Sequence, residues 1–274
     1  MIDLHCHSYF SDGGLSPKEL VEKAQQLQIQ CLSLTDHDTL AGYPELLQAA
    51  ASTALKIVNG IELSTCWKKH DIHILGYQMN PTENFHALIQ RQVQSRIERA
   101  KQIGVALGIL GVTDAYSKAC VLAGHERAAR PHFAQVLVNE GKARDLQFAF
   151  KRYLVRGRSA YIPTSWISMQ EAVEGIVAAG GQAVIAHPLK YGLTRSKLHE
   201  LINQFKEVGG AGIEVVSGEM TVAEISEMAA TSMRFNLLAS SGSDFHSNTM
   251  SRTNLGCQRQ LPVNCVPIWQ QWNI

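Results

Sequence analysis

Apolar residues recur along the chain in two rhythms. Compact runs of strand character are "MIDLHCH", "CLSLTDH", "KIVNGIELS", "DIHILGYQM", "QAVIAHP", "AGIEVVS" and "LLASSGSDFH". Between them lie stretches whose apolar positions return with a helical period: "SPKELVEKAQQL", "YPELLQAAAS", "SMQEAVEGIVAAGG", "SKLHELINQFKEVGG" and "TVAEISEMAATSM". In the first of these, Ser16 is placed to cap the helix, Pro17 to begin it and Glu19 to close a capping box. Strands alternating with helices predict an α/β fold with a parallel sheet, open or closed. In such folds ligands gather at the carboxyl ends of the strands.

Residues 82–160 break the rhythm. "TENFHALIQRQVQSRIERAKQIGVALGILG" predicts one long helix, and "RPHFAQVLVNEGK" and "DLQFAFKRYLV" predict two more, with no strand between them. The expected organisation is a barrel domain of residues 1–81 and 161–274, with residues 82–160 inserted as a helical cap over the site. Phe148, Phe150 and Tyr153 have helical spacing and read as core of the cap; the alternative is a wall for stacking a base. The tail "LPVNCVPIWQQWNI" is expected to lie against the core.

Composition narrows the classes. At 274 residues and 45% hydrophobic, the chain suits one large domain or a domain with an insertion. No stretch approaches the length of a membrane span, and "MIDLHCHS" lacks the basic and apolar regions of a signal peptide. Six cysteines without a CxxC pair read as reduced thiols of a cytoplasmic protein. A net charge of +1 exerts no general pull on nucleic acid or membrane, so neither a DNA duplex nor a bilayer is an expected partner. No feature fixes an oligomeric state.

The 11 histidines change the picture. In "IDLHCHS" the apolar set is Ile2, Leu4 and Cys6, so Asp3, His5 and His7 share the other face of the strand. Asp12 follows in a glycine-rich loop. His37 closes an apolar run, Glu62 sits between Ile61 and Leu63, His73 between Ile72 and Ile74, and His187 ends "VIAHP". Asp244 and His246 stand two apart in "SDFH". Each alone suits a surface or turn residue. Together they place nine metal-capable groups at or near the ends of predicted strands, where burial unpaired would cost several kcal/mol each. A cluster of cations relieves that cost. Imidazole and carboxylate without thiolate suit Zn²⁺, Mn²⁺ or Fe²⁺, and nine ligands imply two or three ions. Ions about 4 Å apart clamp a phosphoryl group.

These residues together resemble the polymerase-and-histidinol-phosphatase (PHP) family, whose motifs match here as "HCH", "TDHD", "AHP" and "SDFH". The resemblance implies a distorted (β/α)7 barrel and a trinuclear centre. It implies His5, His7, Glu62 and Asp244 for one ion, Asp12, His37 and His246 for a second, and Glu62, His73 and His187 for a third. Many members carry a histidine where this chain has Asp12, which points to a particular branch. Manganese is the ion the resemblance favours, with zinc or iron as alternatives.

Within the family, "SRIERA" and "ARPHFA" resemble the bacterial 3′,5′-nucleoside bisphosphate phosphatases, some of which also trim RNA from its 5′ end. That likeness implies substrate contacts from Arg96, Arg99, Arg130 and His132. Arg96 and Arg99 are neighbours on one helical face, and Arg130 and His132 begin a helix, where anions are favoured. Read without the resemblance, they suit solvated helix charges better than a phosphate site. The expected activity is hydrolysis of a nucleotide phosphomonoester, with short RNA as a further substrate. Glu62 would bridge ions, and His187, His246 or a metal-bound water would protonate the leaving oxygen. The competing readings are a histidinol-phosphate phosphatase and, in another class, a non-catalytic metal-binding protein.

Overall fold

The structure, a computed structural model, describes residues 1–248 and 253–272. Seven strands form a nearly closed barrel: β1 (Ile2–Cys6), β2 (Cys31–Leu34), β3 (Lys56–Trp67), β4 (His70–Tyr77), β6 (Gln182–Ile185), β7 (Gly212–Ser217) and β8 (Leu238–Gly242). A two-residue strand, β5 (Ile167–Ser168), pairs with β3 off this path. The distorted barrel expected from the resemblance is therefore present. Its seam joins β8 to β1 through a parallel bridge from Cys6 to Phe245 and the bond from Asp244 N–H to the His5 carbonyl, 2.8 Å. Gly242 makes this approach possible, because a Cβ there would stand 2.2 Å from that of His5.

The sheet is mixed, not parallel throughout. β4 runs antiparallel to both β3 and β6. Only Lys68 and Lys69 separate β3 from β4, which allows a hairpin and forbids the crossover that a parallel pair needs.

Helices α1 (Pro17–Gln26), α2 (Tyr43–Ala50), α7 (Met169–Ala178), α8 (Arg195–Glu207) and α9 (Val222–Arg234) cover the barrel. The capping box at Ser16 is formed: Glu19 N–H donates to Ser16 Oγ at 3.1 Å, and Ser16 N–H donates to Glu19 at 2.7 Å. Ser168 with Glu171 and Thr221 with Glu224 repeat it. The apolar faces of α7, α8 and α9 meet β3, β4, β6 and β7 in the largest core cluster, while α1 and α2 pack with β2 in a separate one. Ile268, near the end of the described residues, is buried against Leu4 and Tyr77, with Trp269 and Trp272 beside it. All six cysteines are free thiols.

Between β4 and β5 the chain is helical: α3 (Glu83–Ile109), α4 (Ala115–Ala123), α5 (Arg130–Asn139), α6 (Leu146–Ala149) and a π-turn over Phe150–Leu154. These helices carry their own core, centred on Ala100, Ile103, Leu107, Phe133 and Leu137. Phe150 and Tyr153 pack against it, while Phe148 is exposed beside Arg144. α3 alone enters both cores, with Phe85, Leu88 and Ile89 in the barrel and Ala100, Ile103 and Leu107 in the insertion. No helix among the described residues is long and apolar enough to cross a membrane.

Candidate metal centre

The nine residues singled out from the sequence all meet at one end of the barrel. Their ligand atoms fall into four overlapping groups: His7, Asp12, His37 and His246; His5, His7 and Asp244; His5, Glu62 and His187; and His37, Glu62 and His73. Glu62 sits at the centre. Its Oε1 lies 2.8 Å from His73 Nδ1 and 2.9 Å from His187 Nε2. Its Oε2 lies 3.3 Å from the Nε2 atoms of both His5 and His7 and 3.0 Å from His37 Nδ1. Asp244 Oδ1 lies 3.4 Å from both His5 Nε2 and His7 Nε2. Asp12 Oδ1 faces His246 Nε2 at 3.4 Å and His37 Nε2 at 3.9 Å.

Glu62 and His73 stand inside their strands instead of at the ends. β3 has 12 residues, and it passes at Gly60 from pairing with β2 to pairing with β4. Glu62 therefore stands where the β2-paired half ends, which brings it level with the loops after β1 and β2.

Several of these atoms lack ordinary partners. Asp12 Oδ1, Glu62 Oε2, His7 Nδ1 and His37 Nδ1 are buried without a hydrogen bond. Lone pairs converging in a dry pocket repel one another unless a cation or proton intervenes. The same residues perturb each other's titration. Burial alone would raise Glu62, yet His37, His73 and His5 hold its carboxyl well below the usual range. Burial likewise opposes the charge on Asp244 and is outweighed by His5 and Lys190. His37 and His7 are pushed down, chiefly by burial. Oxygen and imidazole donors of this kind fit divalent cations.

The supporting residues were not singled out from the sequence. Asp36 accepts from Ser8 N–H, Ser8 Oγ and Ser11 Oγ at 2.6–2.8 Å and so fixes the loop that carries Asp12. Burial pushes its pKa up to about 6. Lys190 bonds Asp244 Oδ2, leaving Oδ1 to face the histidines. Glu214 backs His5 and His187. A lone acid within the apolar run "GIEVVS" is the same signal that marked Glu62, so Glu214 was legible in principle.

The four cap residues divide. Arg96 is buried and turned toward the barrel: Nε lies 2.5 Å from Asp38 Oδ2 and Nη2 lies 2.6 Å from Ser64 Oγ. Two of its three nitrogens are thus engaged within the protein. Arg99 and Arg130 have no carboxylate within ion-pair distance among the described residues. Burial, then repulsion from Arg130 and Arg96, brings Arg99 down to about 9. The Arg96 and Arg99 guanidinium carbons lie 5.2 and 5.5 Å from the centroid of the Trp166 ring. His132 Nδ1 accepts from Ala129 N–H at 2.9 Å, which leaves Nε2 as the donor. A cavity of about 390 Å³ runs between Asp12 and Gly13 on the barrel and Pro131, His132 and Gln135 on the cap. His125 and Arg127 tie the cap to the Asp12 loop through the carbonyls of Ser11 and Phe10, at 3.1 and 2.9 Å.

The family described as "PHP domain" matches residues 3–154. The 3′,5′-nucleoside bisphosphate phosphatase of Chromobacterium violaceum is 39% identical, over 98% of this chain and 95% of that protein. A 5′-3′ exoribonuclease of Haemophilus influenzae is 40% identical, over 98% of each. Among solved structures, an amidohydrolase from Chromobacterium violaceum with bound sulfate and no metal superposes with a TM-score of 0.92 at 39% identity, covering 98% of this chain and 94% of that one.

Proposed function

The chain belongs to the PHP family, and from that premise we propose that it is a metal-dependent phosphatase that removes the 3′-phosphate of nucleoside 3′,5′-bisphosphates. The reading rests on one observation above all. Nine imidazoles and carboxylates converge with several buried atoms left unpaired, and Arg130 of the cap, which forms no ion pair among the described residues, feels the charge of Asp12 among them. Divalent cations held by His5, His7, Asp12, His37, Glu62, His73, His187, Asp244 and His246, with manganese as the proposed ion, supply Lewis acidity toward phosphoryl oxygens and lower the pKa of water.

Arg99 and Arg130 bind the phosphate that does not react. Guanidinium suits bidentate phosphate contact, and binding energy from that remote group orients the reacting one. Arg96 assists through Asp38 and Ser64, by holding α3 against β3. His132 offers Nε2–H to an anion at the start of α5. Glu62 spans the ligand groups. His187 and His246 are the histidines proposed nearest the leaving oxygen; His246 Nδ1 is already engaged by the Asp244 carbonyl at 3.0 Å.

The same pair of groups accommodates a 5′-phosphorylated RNA end, a second reading favoured by the Haemophilus influenzae relative. Histidinol phosphate would bring a cationic amine toward a cluster of guanidinium groups, whose like charge disfavours it. The test compares manganese-loaded protein on adenosine 3′,5′-bisphosphate, a 5′-phosphorylated RNA hexamer and histidinol phosphate. The bisphosphate should be turned over best; histidinol phosphate in first place would overturn the assignment.

A further inference from the structure

We infer that Glu214 is a positioning residue that governs ion affinity at the group formed by His5, Glu62 and His187; this rests on the metal-centre reading above. Glu214 comes from β7, whose register to β8 shifts between Glu214 and Val216. Such a bulge re-aims a side chain, and here the carboxylate is fully buried inside the barrel. Its Oε1 lies 2.9 Å from His5 Nδ1, and its Oε2 accepts the main-chain N–H of His187 at 2.6 Å.

Each bond has a consequence at the site. A carboxylate opposite Nδ1 fixes the proton there and frees Nε2 as a donor of electrons. That Nε2 is the atom lying 3.3 Å from Glu62 Oε2 and 3.4 Å from Asp244 Oδ1. His187 has φ of +26°, a region that a side-chain-bearing residue enters only at a cost. The bond from its own N–H to Glu214 holds it there, with Nε2 directed at Glu62 Oε1, 2.9 Å away. The two imidazoles stack, with centroids 5.7 Å apart and planes 26° from parallel. Glu214, His5, Glu62 and His187 thus close a ring in which one carboxylate faces the ions and the other stands behind both histidines. One outer residue therefore sets two ligands of the same group.

The test measures Mn²⁺ binding by calorimetric titration and metal content after gel filtration, on metal-stripped full-length protein. Glu214→Gln keeps the shape but can accept only one of the two bonds. Asp3→Asn is the control, since Asp3 is an equally buried carboxylate that serves main-chain N–H groups of His5, Ser243 and Gly256 and the Ser243 side chain, and no imidazole among the described residues. Glu214→Gln should weaken at least one Mn²⁺ site by roughly 10–100-fold, the range typical of outer partners of metal ligands, while Asp3→Asn leaves the titration unchanged. Should Glu214→Gln fail to fold, Glu214→Asp, too short to reach both partners, carries the same reading. Wild-type affinity and stoichiometry in the folded Glu214 variant would overturn the inference, and so would equal losses in both carboxylate variants. A wild-type protein that binds no Mn²⁺ would instead overturn the metal-centre reading itself.

Discussion

Arg96 Nε lies 2.5 Å from Asp38 Oδ2, and both side chains are buried. Asp38 Oδ1 meanwhile accepts from Gln92 at 3.0 Å and from Ser64 N–H at 2.8 Å. Removing one member of such a pair strands the other charge, at a cost of about 3–5 kcal/mol. Arg96→Ala should therefore lower unfolding free energy by that order in denaturant titration. The Arg96→Ala, Asp38→Ala double variant should recover part of the loss. Additive losses would mean that the pair is not coupled.

Replacing the central carboxylate has a different signature. Glu62→Gln should reduce turnover by more than the roughly 10–100-fold typical of outer partners, and should lower metal content. It should still melt cooperatively, because Glu62 is bonded to site histidines and not to the apolar core. Full turnover by the folded variant would defeat its assignment as the shared ligand.

On the proposed reading, Arg130 separates substrates with one phosphate from those with two. A hydrogen bond to a charged group contributes about 1.5–3 kcal/mol. Arg130→Ala should thus raise KM for a nucleoside 3′,5′-bisphosphate by roughly 10–100-fold and leave KM for a simple phosphomonoester nearly unchanged. Equal effects on both would assign the second phosphate elsewhere.

The cap contact should respond to acid. Burial, then Arg127, brings His125 from 6.5 down to about 4. Its Nε2–H donates to the Ser11 carbonyl, and its Nδ1 is buried without a hydrogen-bond partner, so a second proton there would find no acceptor. Between those two pH values the unfolded chain binds a proton that the folded one refuses. Stability is therefore present above pH 6.5 and lost as pH falls toward 4, by on the order of 1–2 kcal/mol once solvent at this partly exposed ring is allowed for. His125→Gln keeps a donor but cannot titrate. The difference between wild-type and variant unfolding free energies should shrink across that window; a constant difference would sink the account.

How much of this was legible in the sequence depended on range. Asp3, His5 and His7 alternate with Ile2, Leu4 and Cys6, and a lone Glu62 interrupts an apolar run, so local pattern alone exposed the nine ligand candidates. The direction of β4 was not local: the short link at Lys68 and Lys69 had to be weighed against the surrounding β–α alternation. α4 escaped because its buried face is Ala115, Ala119 and Ala123, too small to stand out from its surroundings. It packs closely enough that a Cβ on Gly104 of α3 would meet Tyr116 Cβ at 2.6 Å. Arg96 and Arg99 look alike in "SRIERA", and only the distant Asp38 turns the first of them toward the barrel.

The double membership of α3 bears on how a nucleotide gets in. The helix is 27 residues long, about 40 Å, and from Ile89 to Ala100 it contains neither glycine nor proline. Gln92 and Arg96 clamp that stretch to β3 and the Asp38 loop. That stretch of α3 therefore has no residue that commonly kinks a helix, and it is bonded to the barrel at two points. A third tie lies at the rim, where His125 and Arg127 hold the Asp12 loop, so a substrate meets helical insertion and barrel as surfaces joined at several places.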